Sequence, residues 1–137
     1  LPLRMKQHMK NAELVANFLK NHSKVNYVSW AGFKENIYHE LAKKYFKNGF
    51  GSVFTFSLKS GYEGAMQLVE NCNLISHLAN IGDTRSLIVH PASTTHRQLN
   101  NEQKEKSGVG DSIIRLSIGL ESHKDIIADL EGALSTI

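Results

Sequence analysis

The segment at residues 113–119 most constrains what this chain can fold into, because its apolar residues alternate as a β-strand requires. Side chains on a strand point to opposite faces in turn, so Ile114, Leu116 and Ile118 share one face and Arg115 lies on the other. The apolar face predicts packing against a core. Arg115 is then predicted to point away from that core, since a guanidinium inside a protein needs water or an anion.

Arg115 has two interpretations from the residue pattern alone. Periodicity favours an arginine that simply faces solvent. The alternative is an anion-binding arginine, because a guanidinium can hold a carboxylate through two parallel hydrogen bonds, a geometry that lysine does not reproduce. The pattern leaves both interpretations open.

Apolar periodicity along the rest of the chain predicts four helices and four further strands. The predicted helices lie at 3–21 and 39–46, after the segment 60–63, and after the segment 122–125. The predicted strands lie at 25–30, 52–58, 75–79 and 84–90. Ser60 and Ser122 open the two segments that resemble capping boxes, and residues 92–107 are predicted to form a polar, turn-rich connection.

This order of elements predicts an α+β fold in which helices pack on one face of a mostly antiparallel sheet. The hairpin-like joins between strands exclude a doubly wound parallel sheet. A chain of 137 residues can bury a core of its own, so we expect a single domain over residues 1–137. The other face of the sheet is then left for solvent or for another domain.

Composition excludes several classes of function. The formal net charge is +3, but the basic residues are interleaved with acids along helical segments, which favours solvated helix faces over a nucleic-acid surface. No apolar run reaches the length of a membrane span, and the single cysteine, Cys72, is predicted to be a small buried residue. We therefore expect a cytoplasmic protein without nucleic-acid or membrane partners. The start at Leu1 without an initiator methionine predicts a cut inside a longer polypeptide.

Two further polar residues are candidates for a binding site. Ser86 lies in the predicted strand at 84–90, where a serine is usually half-exposed, although its main-chain groups could help to hold a carboxylate. Thr95 lies in the following loop, where a hydroxyl usually closes a turn on the backbone. His90 and His96 have no acidic or cysteine partner at ligand spacing, so no metal site is predicted.

Three longer motifs carry a family resemblance: SHLANIGD at 76–83, SLIVHPASTTH at 86–96 and IRLSIGLE at 114–121. Through them, and over essentially its whole length, the chain resembles the C-terminal domain of O-acetylhomoserine sulfhydrylases, also named homocysteine synthases. These are fold-type I enzymes of the Cys/Met-metabolism family that use pyridoxal phosphate (PLP). The resemblance implies that the full enzyme, a transferase of methionine biosynthesis, converts O-acetylhomoserine and sulfide into homocysteine and acetate.

The resemblance also implies roles for single residues. Arg115 matches the arginine that grips the substrate α-carboxylate, Ser86 matches a serine whose neighbourhood completes that pocket, and Thr95 matches a threonine lining it. No catalytic residue is expected in this chain, because the Schiff-base lysine and its Ser-x-x-Lys context belong to the larger, N-terminal PLP domain. Lys59 does not match that motif. The fragment alone is therefore expected to bind no PLP and to be inactive, and the full-length protein is expected to form a homotetramer.

Two alternatives remain at this point. A cystathionine γ-synthase or a methionine γ-lyase shares the same carboxylate pocket. The resemblance therefore favours the sulfhydrylase only through the particular residues of its motifs. A free-standing regulatory module that binds amino acids would also place helices on one face of an antiparallel sheet. Such a module predicts amino-acid binding by these 137 residues alone, whereas the enzyme domain predicts none without its PLP domain.

Overall fold

The computed structural model describes residues 1–104 and 106–137, and in them the chain forms five helices and five strands. The helices are α1 (Pro2–Lys20), α2 (His39–Tyr45), α3 (Gly61–Asn71), α4 (Asn101–Lys106) and α5 (His123–Ser135). The strands are β1 (Val25–Ser29), β2 (Val53–Leu58), β3 (Ser76–His77), β4 (Leu87–Val89) and β5 (Ile113–Ser117). No helix within the described part of the chain is long and apolar enough to cross a bilayer.

The strands form one sheet in the order β1-β2-β5-β4-β3. The pairs β1–β2, β2–β5 and β5–β4 are antiparallel, and only the short edge pair β3–β4 is parallel among the described strands. The predicted α+β class with a mostly antiparallel sheet is therefore confirmed. The predicted strands at 75–79 and 84–90 exist but are shorter, as β3 and β4.

The core lies between one face of the sheet and the helices α1, α3 and α5. This face presents the buried side chains of Phe54, Phe56, Leu58, Ile114 and Leu116. The alternation predicted for the segment 113–119 is confirmed, because its apolar set faces the helices. Burying these large side chains supplies the main stabilisation, at about 1.5–3 kcal/mol for each fully buried one.

Helix α1 buries two polar side chains that the sequence did not predict to be buried. The His8 ring nitrogen Nδ1 lies 2.6 Å from the carbonyl oxygen of Ile118. Asn11 Nδ2 donates to the carbonyls of Gly119 at 3.0 Å and Glu121 at 2.8 Å. None of the described backbone N–H groups donates to these carbonyls, so α1 supplies the donors that buried backbone groups require.

Two local predictions differ from the structure. Ser60 and Ser122 occupy the N-cap positions of α3 and α5, but neither side chain makes a cap hydrogen bond, so the two capping-box predictions are wrong. The predicted turn-rich connection at 92–107 contains part of a 3₁₀ turn, Pro91–Ser93, and the helix α4. Asn100 and Gln103 exchange backbone-to-side-chain hydrogen bonds of 3.0 and 2.8 Å, which is a capping box that starts α4.

The second face of the sheet is only half open. Tyr27 and Val53, on β1 and β2, are 47% and 40% exposed. Leu87 and Val89, on β4, lie on the same face but are buried at 1% and 2% exposure. The expectation of an uncovered second face therefore holds for the β1–β2 half and is wrong for the β4 half, which the chain itself covers.

Candidate functional site

Arg115 lies in the middle of β5, on the face of the sheet that points away from the helices. Its register partners are Thr55 on β2 and Val89 on β4, so a polar and an apolar side chain flank it on the same face. The arginine is half-buried. Its guanidinium Nη2 donates to the carbonyl oxygen of Asn80 at 3.4 Å. The direction of the side chain is the one that strand alternation predicts.

A loop at residues 78–85, which we call the Asn80 loop, forms one wall beside Arg115. Its Gly82 N–H donates to Ser117 Oγ, two residues along β5 from Arg115, at 3.3 Å. Arg4 from α1 donates to the Gly82 carbonyl at 3.2 Å. The Asn80 side chain accepts the N–H of the next residue, Ile81, at 2.9 Å, which is a local turn. Gly82 adopts φ +72, a conformation that favours glycine.

The charge of Arg115 has no acidic partner in the described part of the chain. The ion pairs there involve other basic residues, and no carboxylate lies within 4.0 Å of this guanidinium. A lone backbone carbonyl at 3.4 Å is a weak use of five N–H donors. The guanidinium therefore has N–H groups left to hold an anion bidentately, beside the open half of the sheet face.

Ser86 lies on the opposite face of the sheet from Arg115. It is fully buried at 0% exposure, on the same side as Ile88, which packs in the core. Its N–H donates to Glu121 Oε1 at 2.6 Å and its hydroxyl donates to Glu121 Oε2 at 2.8 Å. The hydroxyl also accepts from the N–H of Gly119 at 2.9 Å. The structure therefore does not bring Ser86 and Arg115 together, and the polar groups of Ser86 are engaged within the fold.

Thr95 is exposed in the connection after β4. Its hydroxyl lies 2.8 Å from the Nδ1 of His96. Both residues line an open, polar cavity of about 450 Å³ that the segment 94–99 surrounds. No hydrogen bond between described residues joins this cavity to Arg115. Within this chain, Thr95 is accessible but belongs to a separate surface feature.

His90 organises the turn between β4 and the segment of Thr95. The ring is buried, with Nε2 lying 2.7 Å from the Asp111 carbonyl and Nδ1 lying 2.9 Å from Ser93 Oγ. Tyr62 packs edge-on against the ring at 5.0 Å between centroids. Burial lowers the pKa of His90 below the ordinary value of 6.5, so the ring is neutral at pH 7. Both ring nitrogens form hydrogen bonds within the fold, so this histidine has a structural role.

The described residues do not fit covalently bound PLP. A Schiff-base lysine requires a desolvated amine. The described lysines are exposed except Lys24 and Lys104, which are half-buried. Lys24 Nζ donates to the Leu134 carbonyl at 2.7 Å, and Lys104 Nζ lies 3.5 Å from a carboxylate oxygen of Asp111. Neither amine is available for a cofactor.

A second surface is notable for its apolar character. Around α2, large side chains are exposed, among them Ile37 at 84%, Tyr45 at 65% and Phe46 at 56%. A purely apolar cavity of about 230 Å³ lies there, lined by Ala31, Tyr38, Leu41, Ala42, Tyr45 and Phe46. We call this the α2 apolar surface. Contiguous exposed apolar patches of this kind mark contact sites between proteins or domains.

Comparison with known proteins gives consistent matches over the whole chain. A family model described as Cys/Met metabolism PLP-dependent enzyme matches residues 1–135. Homocysteine synthase of Schizosaccharomyces pombe is 45% identical over 134 residues, which are 98% of this chain and 31% of that protein. O-acetyl-L-homoserine sulfhydrylase of Leptospira meyeri is 46% identical over 138 residues, which are 100% of this chain and 31% of that protein.

Two further matches widen this comparison. L-methionine gamma-lyase of Fusobacterium nucleatum subsp. polymorphum is 44% identical over 135 residues, covering 98% of this chain and 34% of the lyase. A crystal structure from Campylobacter jejuni, named as an O-acetylhomoserine (thiol)-lyase with N'-pyridoxyl-lysine-5'-monophosphate, superposes with a TM-score of 0.92 at 44% identity. The match covers 98% of this chain and 32% of that one. The chain spans about a third of the length of the relatives it matches.

Proposed function

The chain belongs to the Cys/Met metabolism family of PLP-dependent enzymes, and we propose that it is the C-terminal domain that binds the substrate carboxylate. The reaction we propose for the full-length enzyme is that of an O-acetylhomoserine sulfhydrylase. In it, sulfide forms a C–S bond at the γ-carbon of O-acetylhomoserine as the C–O bond to acetate breaks, giving homocysteine. Relatives named as sulfhydrylases or homocysteine synthases at 45–46% identity support this choice.

The observation that carries the proposal is that the half-buried Arg115 points to the open face and that its guanidinium has no acidic partner among the described residues. An α-amino acid offers a planar carboxylate, which matches the guanidinium fork through two hydrogen bonds. The contact to the Asn80 carbonyl is 3.4 Å long and involves Nη2 alone, so the other N–H groups of the guanidinium are left for the carboxylate while the loop stays in place. Holding the carboxylate there would orient the rest of the substrate outward from the sheet, toward whatever domain faces it.

The rest of the enzyme would supply the cofactor site. Because the described lysines do not fit a Schiff base, the proposal places PLP in the preceding domain, which would account for much of the two thirds of the relatives' length that this chain does not match. The α2 apolar surface supports a contact with further protein, either that domain or another copy in a homotetramer. We further propose a cytoplasmic location and an inactive isolated fragment.

The test is Arg115→Lys in the full-length enzyme. Losing a bidentate hydrogen bond to a charged group costs about 1.5–3 kcal/mol, which raises the KM for O-acetylhomoserine about 10- to 150-fold. PLP content, read from its visible absorbance, should stay unchanged. The matched control is Arg97→Lys, since Arg97 is exposed and lies outside the Asn80 loop. A KM for Arg115→Lys equal to that of the control would refute the role.

A sister activity has its own support from the comparisons, since two methionine gamma-lyases are 44% identical to this chain. A cystathionine γ-synthase would also use the proposed carboxylate site. The intact enzyme should be assayed with sulfide and with cysteine as nucleophiles, and with methionine alone. Turnover with sulfide in place of the other two is the result that the sulfhydrylase proposal requires.

The regulatory-module alternative makes an opposite prediction for the 137-residue chain alone. Isothermal titration with O-acetylhomoserine or methionine should show no saturable binding if the site needs the second domain. Saturable binding of a free amino acid by the chain alone, lost in Arg115→Lys, would favour the module and contradict the enzyme domain.

A further inference from the structure

We propose that Glu121 is a positioning residue, whose carboxylate holds Ser86 and thereby sets the Asn80 loop against Arg115. The inference deepens the proposed function and rests on it, because the loop matters only if Arg115 binds substrate. Glu121 itself does not contact Arg115 in the described hydrogen bonds and ion pairs. It acts through the loop, so it is not a catalytic residue.

Both carboxylate oxygens of Glu121 accept hydrogen bonds from Ser86. Oε1 accepts the Ser86 N–H at 2.6 Å and Oε2 accepts the Ser86 hydroxyl at 2.8 Å. The hydroxyl accepts in turn from the Gly119 N–H at 2.9 Å. Hydrogen bonds to an ionised carboxylate are about twice as strong as neutral ones, and Ser86 is fully buried. We call this arrangement the Glu121 clasp.

Close backbone contact reinforces the clasp from the other side. The Leu120 N–H donates to the Thr84 carbonyl at 2.7 Å, so the segment after β5 bonds directly to the end of the Asn80 loop. At Gly119, an added Cβ would overlap the Thr84 carbonyl and the Glu121 carboxylate. The segment 119–121 is therefore shaped to bind this loop end closely, which explains a glycine there.

The clasp is where the loop is held most firmly. The residues between β3 and β4 are mostly exposed. Near the site, the described hydrogen bonds that tie this stretch to the rest of the fold are those of Arg115 to Asn80, Gly82 to Ser117 and Arg4 to Gly82, at 3.2–3.4 Å. Those bonds are long and weak. Ser86 is the first buried residue after this exposed stretch, and its clasp is short and charged. Releasing Ser86 would remove the charged part of this anchor, so the Asn80 loop would be held less firmly against Arg115.

A carboxylate that merely stabilises the fold would behave differently, and the chain contains one for comparison. Asp129 on α5 accepts the backbone N–H groups of Asn73, Leu74 and Ile75 at 2.8–3.0 Å. This second grip anchors the segment that follows α3. It has the same chemistry as the Glu121 clasp, but it makes no described hydrogen bond to the Asn80 loop. Asp129→Asn is therefore the matched structural control.

The experiment uses the full-length enzyme and two readouts. Glu121→Gln should raise the KM for O-acetylhomoserine about tenfold while kcat and PLP absorbance stay unchanged, because only the substrate-holding wall is loosened. Tryptic cleavage between Arg85 and Ser86, followed by mass spectrometry, should accelerate about tenfold, because that bond is protected only while Ser86 is clasped. Ser86→Ala, which keeps the N–H and loses the hydroxyl, should change both readouts in the same direction by less.

The outcomes separate this inference from the proposed function. If Glu121→Gln changes neither KM nor cleavage, or if Asp129→Asn changes both equally, the positioning role is overturned. If Arg115→Lys raises KM and Glu121→Gln does not, the carboxylate site stands and the clasp fails as a positioning device. If Glu121→Gln speeds cleavage while Arg115→Lys leaves KM normal, the clasp of the loop is supported and the proposed carboxylate site fails.

Discussion

Replacing Asp129 with alanine tests how much one side chain contributes to the free energy of unfolding, through the segment that joins α3 to β3. Its two carboxylate oxygens accept three consecutive backbone N–H groups, from Asn73 at 2.8 Å, Leu74 at 3.0 Å and Ile75 at 2.9 Å. Ile75 is buried and leads directly into β3. Without the carboxylate, these three N–H groups would have to form hydrogen bonds to water instead.

The expected loss follows from the exposure of each donor. The partly buried N–H of Ile75 should lose about 1.5–2 kcal/mol, the lower part of the range for a hydrogen bond to a charged group. The exposed N–H groups of Asn73 and Leu74 can bind water instead, so each should lose only about 0.5 kcal/mol. Alanine returns about 0.5 kcal/mol of helix propensity in α5. The net destabilisation of Asp129→Ala is then about 2–2.5 kcal/mol.

The assay is urea unfolding of the 137-residue chain, with the change read as a lower midpoint at unchanged m-value. Asp129→Asn keeps one acceptor oxygen and should lose about half as much free energy of unfolding. A matched control is Asp125→Ala, at an exposed carboxylate in the first turn of α5. Surface substitutions usually change the free energy of unfolding by no more than about 0.5 kcal/mol. If the loss in Asp129→Ala lies within that amount of the loss in Asp125→Ala, the reasoning from donor burial is mistaken.

Two further predictions concern titratable groups. Burial, aided by the charge of Asp129, raises the pKa of the Cys72 thiol to about 12. Cys72 should therefore react with a thiol reagent at pH 8 far more slowly in the native chain than in the urea-unfolded chain. Equal reaction rates would contradict this. Burial lowers the pKa of His90 below 6.5, so the unfolded state takes up the proton first as the pH falls. The contribution of His90 to stability is therefore complete above pH 6.5 and is lost below it. Between pH 8 and 5, the free energy of unfolding in urea should fall less in His90→Asn than in the native chain. The same fall with pH in both proteins would contradict the assignment.

The direction of Arg115 was predictable because a strand has a period of two, whatever surrounds it. The apolar neighbours Ile114 and Leu116 decide which face meets the helices, and the arginine must take the other. The same rule placed Ser86 with Ile88 on one face of its strand. What it could not provide was the pairing of Ile88 with Leu116, which puts Ser86 on the helix side and away from Arg115.

Periodicity did not predict the burial of two polar residues on α1. His8 and Asn11 lie on the buried side of this helix, and the partner of each, a backbone carbonyl after β5, is more than 100 positions away in the sequence. The Asn100–Gln103 capping box was a missed local signal, since its spacing alone predicts a helix start. The contact of Asn80 with Arg115 spans 35 positions and leaves no periodic trace.

The sequence pattern of this chain was sufficient for most of its helices and strands, its α+β class, its family and the face on which Arg115 lies, because these depend on local periodicity and on long, specific motifs. Strand order and register decided the rest: which carbonyl meets Arg115, which half of the open face is covered, and why Ser86 bonds to Glu121. Such contacts join residues that are distant in the chain, and their energies arise from burial and geometry that exist only once the sheet has formed.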